Sequence, residues 1–242
     1  MLTITSIHSQ SSQGMTRPFY CTASDGKQYF VKGLQATRQS QVNEWICAHL
    51  ARAFGLPLPP FELLYVEESL HNELPRAHKE IGIGYAFGSQ EVLGDIWLES
   101  REILNLSPEL KRAILVFDKW IRNNDRTQGN PNLILDSNGD KLFVIDHNLA
   151  FDPDFSHTNF LQHHLFADEW EAICSDWVER TTYTQRLDQA FAHFPSAWQS
   201  LPAEWQWANN EGDLPARLLG KETIDAILKS YYADSHFWHP AN

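Results

Sequence analysis

The sequence predicts a two-part α+β fold: a small strand-rich first part over residues 1–92, then a mostly helical part over 93–242. Three observations predict it. Short strand-like runs flank an Asp-Gly turn near the N-terminus. Apolar stripes at helical spacing dominate the second part, and a single pair of apolar runs with hairpin spacing interrupts them at 132–147.

Residues 17–34, RPFYCTASDGKQYFVKGL, read as two strands around Asp25-Gly26, a pair that suits a tight hairpin turn. Val42, Trp45, Ile46, His49, Leu50 and Ala53 then recur at helical spacing, and Gly55 and Pro57 end that helix. FELLYVEE (61–68) predicts a strand, and KEIGIGYAFGSQEV (79–92) a strand followed by a Gly-rich connector. In the second part Ser107 is placed to cap a helix with Pro108 in its first turn. Leu110, Ala113, Ile114, Phe117, Trp120 and Ile121 form its stripe, and Asn123-Asn124 its end. NLILD and KLFVIDH are two strands joined through Asn138-Gly139, and WVERTTYTQRLDQAFAHF and GKETIDAILKSYY are helical. No repeat or low-complexity segment breaks the pattern.

Composition bounds the function. Hydrophobic content of 43%, with nine Trp and fourteen Phe, is that of a chain with a real core. Cys21, Cys47 and Cys174 are too few and too scattered for a disulfide framework or a zinc site, which predicts a reducing, cytoplasmic setting. MLTITSIHSQSSQGMTRP lacks a basic stretch followed by an apolar core, so no signal peptide is expected, and no apolar run is long enough for a membrane span. A net charge of −12 disfavours broad contact with nucleic acid or anionic lipid.

The stretch FDKWIRNNDRTQGNPNLILDSNGDKLFVIDHNLAF crowds Asp118, Asp125, Asn130, Asp136 and Asp146 into residues 117–151. Carboxylates that close repel one another unless water or a cation screens them. A helix, a polar loop starting at Asp125 and a hairpin ending at Asp146 would gather an Asp, an Asn and an Asp around one cavity. These are the hard oxygen ligands that Mg²⁺ takes alongside water and phosphates. Phosphoryl transfer needs such a metal, a base near the accepting hydroxyl and a cation on the nucleotide phosphates. Protein kinases use the same spacing: an Asp, an Asn five positions later, then an Asp after a hairpin. Taken singly, each residue also fits a turn or the end of a strand.

The form D-x-W-I-x-N-x-D-R, Asn130 five positions on, then I-D-H-N-L-A-F resembles the HipA-like kinases and the phosphatidylinositol 3-/4-kinase branch of the same superfamily. NPNLIL and VIDHNLAF carry the resemblance most specifically. It implies a two-lobed protein-kinase-like fold, ATP and Mg²⁺ as cofactors, and transfer to a hydroxyl of a protein serine or threonine. By position, Asp125 would be the catalytic Asp, Asn130 and Asp146 would hold the metal, and Arg126 would brace the loop. Lys32 in YFVKG would grip the nucleotide phosphates and pair with Glu44. Helical periodicity puts Glu44 on the face of Ala48 and Ala51, opposite the apolar stripe; those small residues would let that face approach another element closely, and a solvated glutamate is the nearly equal alternative.

A P-loop and G-x-G-x-x-G are both absent. Before the first predicted strand stands SQSSQGMTRP, where the resemblance points to Ser11 or Ser12 as a self-phosphorylated residue. GYAFGSQEV is the expected hinge. His163-His164 and His236-x-x-His239 form pairs without a third ligand. Rival readings are a kinase of a small molecule or lipid headgroup, an inactive nucleotide-binding regulator, and a metal-dependent hydrolase. An antitoxin-like partner is the regulator that the resemblance implies. At 242 residues the chain is shorter than full HipA-type toxins, which predicts either a missing N-terminal subdomain or a distinct subfamily.

Overall fold

The computed structural model describes residues 1–11, 16–92, 96–97, 105–136, 141–234 and 237–239. Ser12, the Asn138-Gly139 turn and His236 lie outside them. The fold is mixed α+β, with strands gathered in the N-terminal region and a helical remainder. The chain divides into two compact units. One comprises Met1–Trp45, Pro59–Leu93 and Ser200–Leu219; the other comprises Ile46–Leu58, Gly94–Gln199 and Gly220–Asn242.

The first unit is built on five strands, β1 (Leu2–Gln10), β2 (Phe19–Ala23), β3 (Gln28–Lys32), β4 (Phe61–Val66) and β5 (Gly84–Gln90). They close into a barrel in the order β1-β2-β3-β5-β4, all neighbours antiparallel except a short parallel contact of β1 with β4. Alternate residues turn inward, so Phe19, Cys21, Ala23, Tyr29, Val31, Leu64 and Val66 share one core with Ile4, Ile81 and Ala86. Helix α1 (Arg38–Phe54) follows β3, and a short α2 (Glu68–Glu73) follows β4.

Three elements differ from expectation. The stretch read as a strand from residue 79 begins as a 3₁₀ turn, Arg76–Ile81, and the supposed Gly-rich connector is β5 itself. Its glycines serve packing: a Cβ at Gly88 would lie 2.6 Å from the Leu64 side chain. Strand β1 was invisible in the sequence because register shifts between Ile4 and Ser6 and between Ile7 and Ser9 break the two-residue period. Helix α2, with no buried residue, leaves no apolar stripe to read.

In the second unit a three-stranded sheet, β6 (Ile96–Trp97), β7 (Leu133–Leu135) and β8 (Leu142–Val144), runs in that order and is antiparallel throughout. Helix α3 (Pro108–Trp120) precedes it; the Ser107 side chain accepts from the Leu110 N–H at 3.2 Å, as its position predicts. Helices α4 (His157–His163), α5 (Trp170–Ser175), α6 (Trp177–Phe191), α7 (Phe194–Gln199), α8 (Lys221–Leu228) and α9 (Ser230–Ala233) complete the described residues. Helix α3 is buried from Ala113 to Trp120. Phe117 and Trp120 are fully buried, Phe117 sits 5.5 Å from the Phe54 ring, and the Trp120 indole donates to the Leu228 carbonyl at 2.7 Å.

Candidate active site

Helix α3 ends where Arg122 takes a left-handed conformation (φ 53°) and the chain turns into the loop that starts at Asn123. Four of the six described non-glycine residues with positive φ fall here: Arg122, Asn132, Asp146 (φ 61°) and Phe151. Such conformations persist only where surrounding bonds over-determine them, so strain is concentrated on this loop and hairpin.

The loop gathers Asp125, Asn130 and one residue that the spacing argument missed. Thr127 and Asn130 exchange backbone hydrogen bonds at 3.1 and 3.2 Å, a tight turn with Gln128-Gly129 at its tip. That turn points the Asn130 amide back, and its Nδ2 donates to Asp125 Oδ2 at 3.0 Å. Asn132 Nδ2 donates to the same oxygen at 3.2 Å. The missed residue is therefore Asn132; its signal was the second Asn of NPNLIL, hidden by a β-strand reading that started there. The Asp125 carboxyl is pushed above the usual carboxylate range, first by burial and then by the negative charge of Asp146, against the two amides and Arg126. Asp146 follows β8 and is thus close enough to repel Asp125. His147, next in the chain, is buried with its ring edge on Phe117 at 5.7 Å.

Lys32 and Glu44 meet in the first unit. Lys32 ends β3, Glu44 lies on α1, and the ammonium and carboxylate are hydrogen-bonded and buried. The alternative of a solvated Glu44 does not hold: Glu44 is 3% exposed, and Ala48 and Ala51 on the same face are buried as well. Periodicity erred because α1 is enclosed on nearly every side, so polar residues on its weaker stripe are also inside. Gln41 adds to the join by donating from its amide to the Lys32 carbonyl at 2.7 Å.

A family model described as HipA-like kinase matches residues 4–241, nearly the whole chain. The chain belongs to the HipA-like kinase family. Among solved structures, the proinflammatory kinase CtkA of Helicobacter pylori is similar in fold at 11% sequence identity, with a TM-score of 0.53, covering 94% of this chain and 92% of that one. A comparison with the curated proteins finds no match.

A HipA-like kinase uses a nucleotide and a metal, and the donor set fits such an ion. Asp125 and Asp146 repel one another, and Asn130, whose nitrogen is turned to Asp125, has an amide oxygen of the hard type that such a metal takes. Among the described residues no group of three or more His, Cys, Asp or Glu assembles into a metal cluster. One carboxylate and one amide, as Asp146 and Asn130 would supply, are the kind of hard oxygen donors that a divalent metal completes with water and phosphate. His163 and His164 do not act as a pair. His163 Nδ1 lies 2.9 Å from the Asn159 carbonyl on the exposed face of α4, while His164 is buried against Asp118. Asp118, equivalent to Asp125 by composition, is fully buried in an ion pair with Arg126 at 2.6 Å. No helix among the described residues is long and apolar enough to cross a membrane.

Proposed function

We propose that this HipA-like kinase transfers the γ-phosphoryl group of ATP, with Mg²⁺, to the hydroxyl of a protein serine or threonine. The observation that carries the reading is the Asp125 carboxylate held by Asn130 and Asn132 beside the charge of Asp146. In this reading Asn130 and Asp146 hold the metal, which when bound screens the phosphate charge. Asp125, oriented by two amides and made more basic by its surroundings, takes the proton of the accepting hydroxyl. Lys32, held by Glu44, binds the nucleotide phosphates, and the barrel residues 1–92 and helical residues 93–242 act as the two lobes of a kinase-like enzyme. Ser11 is the described candidate for self-phosphorylation. The setting is cytoplasmic, and an antitoxin-like protein is the expected regulator.

The rival acceptor is a small molecule or lipid headgroup; the net charge of −12 speaks against an anionic membrane. An inactive nucleotide-binding regulator would have no use for Asp125, Asn130 and Asp146 together. Incubation with γ-labelled ATP and Mg²⁺, following label into the chain itself, lysate proteins and small molecules, tests the reading. Label on protein serine or threonine supports it. Label confined to small molecules replaces the acceptor, and no transfer to any of them overturns the reading.

A further inference from the structure

Arg126 follows Asp125 directly, and the groups that its guanidinium holds stand one or two residues from the other two members of the candidate site. Its Nη1 donates to the Pro131 carbonyl at 3.0 Å and the Asn132 carbonyl at 2.7 Å, and Nη1 and Nη2 both reach the Ile145 carbonyl at 3.5 Å. Pro131 follows Asn130, and Ile145 precedes Asp146. One rigid, planar cation thus ties the loop to the end of the hairpin and sets the spacing of Asp125, Asn130 and Asp146.

The guanidinium is itself aimed from behind. Asp118 Oδ2 accepts from Arg126 Nε at 2.6 Å and from His164 Nε2 at 3.0 Å, while Asn123 Nδ2 donates to Asp118 Oδ1 at 3.0 Å. The other nitrogen of His164, Nδ1, accepts from the Phe166 N–H at 3.1 Å. A ring that donates at Nε2 and accepts at Nδ1 is the neutral imidazole in one tautomer, and burial favours that form. The backbone repeats the link, because the Leu165 N–H donates to the Arg126 carbonyl at 3.0 Å. An Asp118–Arg126 pair alone would satisfy the buried charges. The histidine adds a third bond to the carboxylate and fixes its plane, and with it the rotation of the guanidinium.

We propose that Asp118 and His164 are positioning residues for phosphoryl transfer, acting through Arg126 to hold Asp125 in register with the metal-binding pair. The proposal rests on the kinase reading above. Misplacing a reacting group by about 1 Å can cost roughly a hundredfold in rate, so orientation at this distance has a kinetic signature.

The test compares His164→Gln, which keeps an amide donor for Asp118, with His164→Leu, which removes it. Three readouts are taken on the full chain below the melting transition: kcat and KM for ATP in γ-label transfer, Mn²⁺ affinity by electron paramagnetic resonance with ADP present, and the ¹⁵N signature of His164. The expected result is a neutral Nε2–H tautomer in the unsubstituted chain. His164→Leu should lower kcat by roughly ten- to a hundredfold, leave KM for ATP within about twofold, and weaken Mn²⁺ binding by about tenfold. His164→Gln should restore most of both. If His164→Leu does not fold, His164→Asn replaces it, keeping polarity toward Phe166 but falling short of Asp118. A leucine or asparagine variant with unchanged kcat and Mn²⁺ affinity overturns the proposal. So does a loss shared equally by Gln and Leu that merely follows their melting temperatures, as a purely structural role would give. Should the unsubstituted chain transfer no phosphate, the kinase reading fails, and Mn²⁺ affinity still decides whether His164 positions the site.

Discussion

Asp125 carries opposed demands. Its charge is disfavoured in the folded chain by burial and by Asp146, and that same environment makes it a better proton acceptor. Asp125→Asn should therefore leave the melting temperature unchanged or raise it, while phosphoryl transfer falls by roughly two or more orders of magnitude. Scanning calorimetry beside a transfer assay checks both, and a variant that melts lower with full activity would contradict the assignment. Asp118, although it looks equivalent in sequence, is the opposite case. Burial would push its carboxyl up, but the Arg126 charge and the His164 hydrogen bond hold it well below the usual range. Asp118→Asn leaves a buried guanidinium without its counter-charge and should cost about 3–5 kcal/mol of stability, measured by denaturant unfolding. The exposed Asp154 serves as the control for a neutral Asp→Asn change.

At the scale of elements, what was legible followed the period of the pattern. The Ser107 cap was readable from its side chain and the Pro108 that follows it, and the α3 stripe was readable, although Ala113 to Trp120 are all buried, because the charged Asp118 and Lys119 fall between its members. The D-x-x-x-x-N spacing was readable because one loop carries it. The burial of Glu44 was not, since an enclosed helix has no polar face to mark, and neither was β1, whose bulges erase alternation. In the Asp118–Arg126–His164 network, Asp118 and Arg126 stand within D-x-W-I-x-N-x-D-R, but His164, 46 residues from Asp118, has no local signature. The β3–α1 connection makes its own prediction. A Cβ on Gly33 would stand 2.2 Å from the Ile81 carbonyl oxygen, and backbone there cannot yield as a side chain would. Gly33→Ala should displace the end of β3, carrying Lys32 with it, and weaken ATP binding by roughly tenfold or more. Titration calorimetry against ATP reads this. Glu44→Gln, which strands the Lys32 ammonium beside a neutral amide, should lower both affinity and melting temperature.

Across the whole molecule, acid sensitivity follows from histidines kept neutral by the fold. Burial pushes His164 and His157 below the usual histidine range, and His49 down to about 4, with the Arg52 charge adding at His49 and Lys119 at His157. A histidine whose folded pKa lies below its unfolded value of about 6.5 binds fewer protons folded than unfolded. Its stabilising contribution is complete above about 6.5 and is lost as pH falls toward the folded value. The melting temperature should therefore drop by several degrees between pH 7 and pH 5, and His164→Gln should flatten part of that slope. Asp118, held low, contributes loss only at far lower pH, and Asp125, raised, acts in the opposite sense.

Family membership says that the chain is a kinase; the proposed function divides the labour inside one loop and hairpin. The most direct measurement is ATP binding by thermal shift, with Mg²⁺ or with EDTA, alongside γ-label transfer for the unsubstituted chain, Asp146→Ala and Asp125→Asn. The expected result is a Mg²⁺-dependent shift that is lost in Asp146→Ala and kept in Asp125→Asn, with transfer lost in both. An equal shift in EDTA, or an Asp146→Ala variant that binds and transfers like the unsubstituted chain, would contradict it.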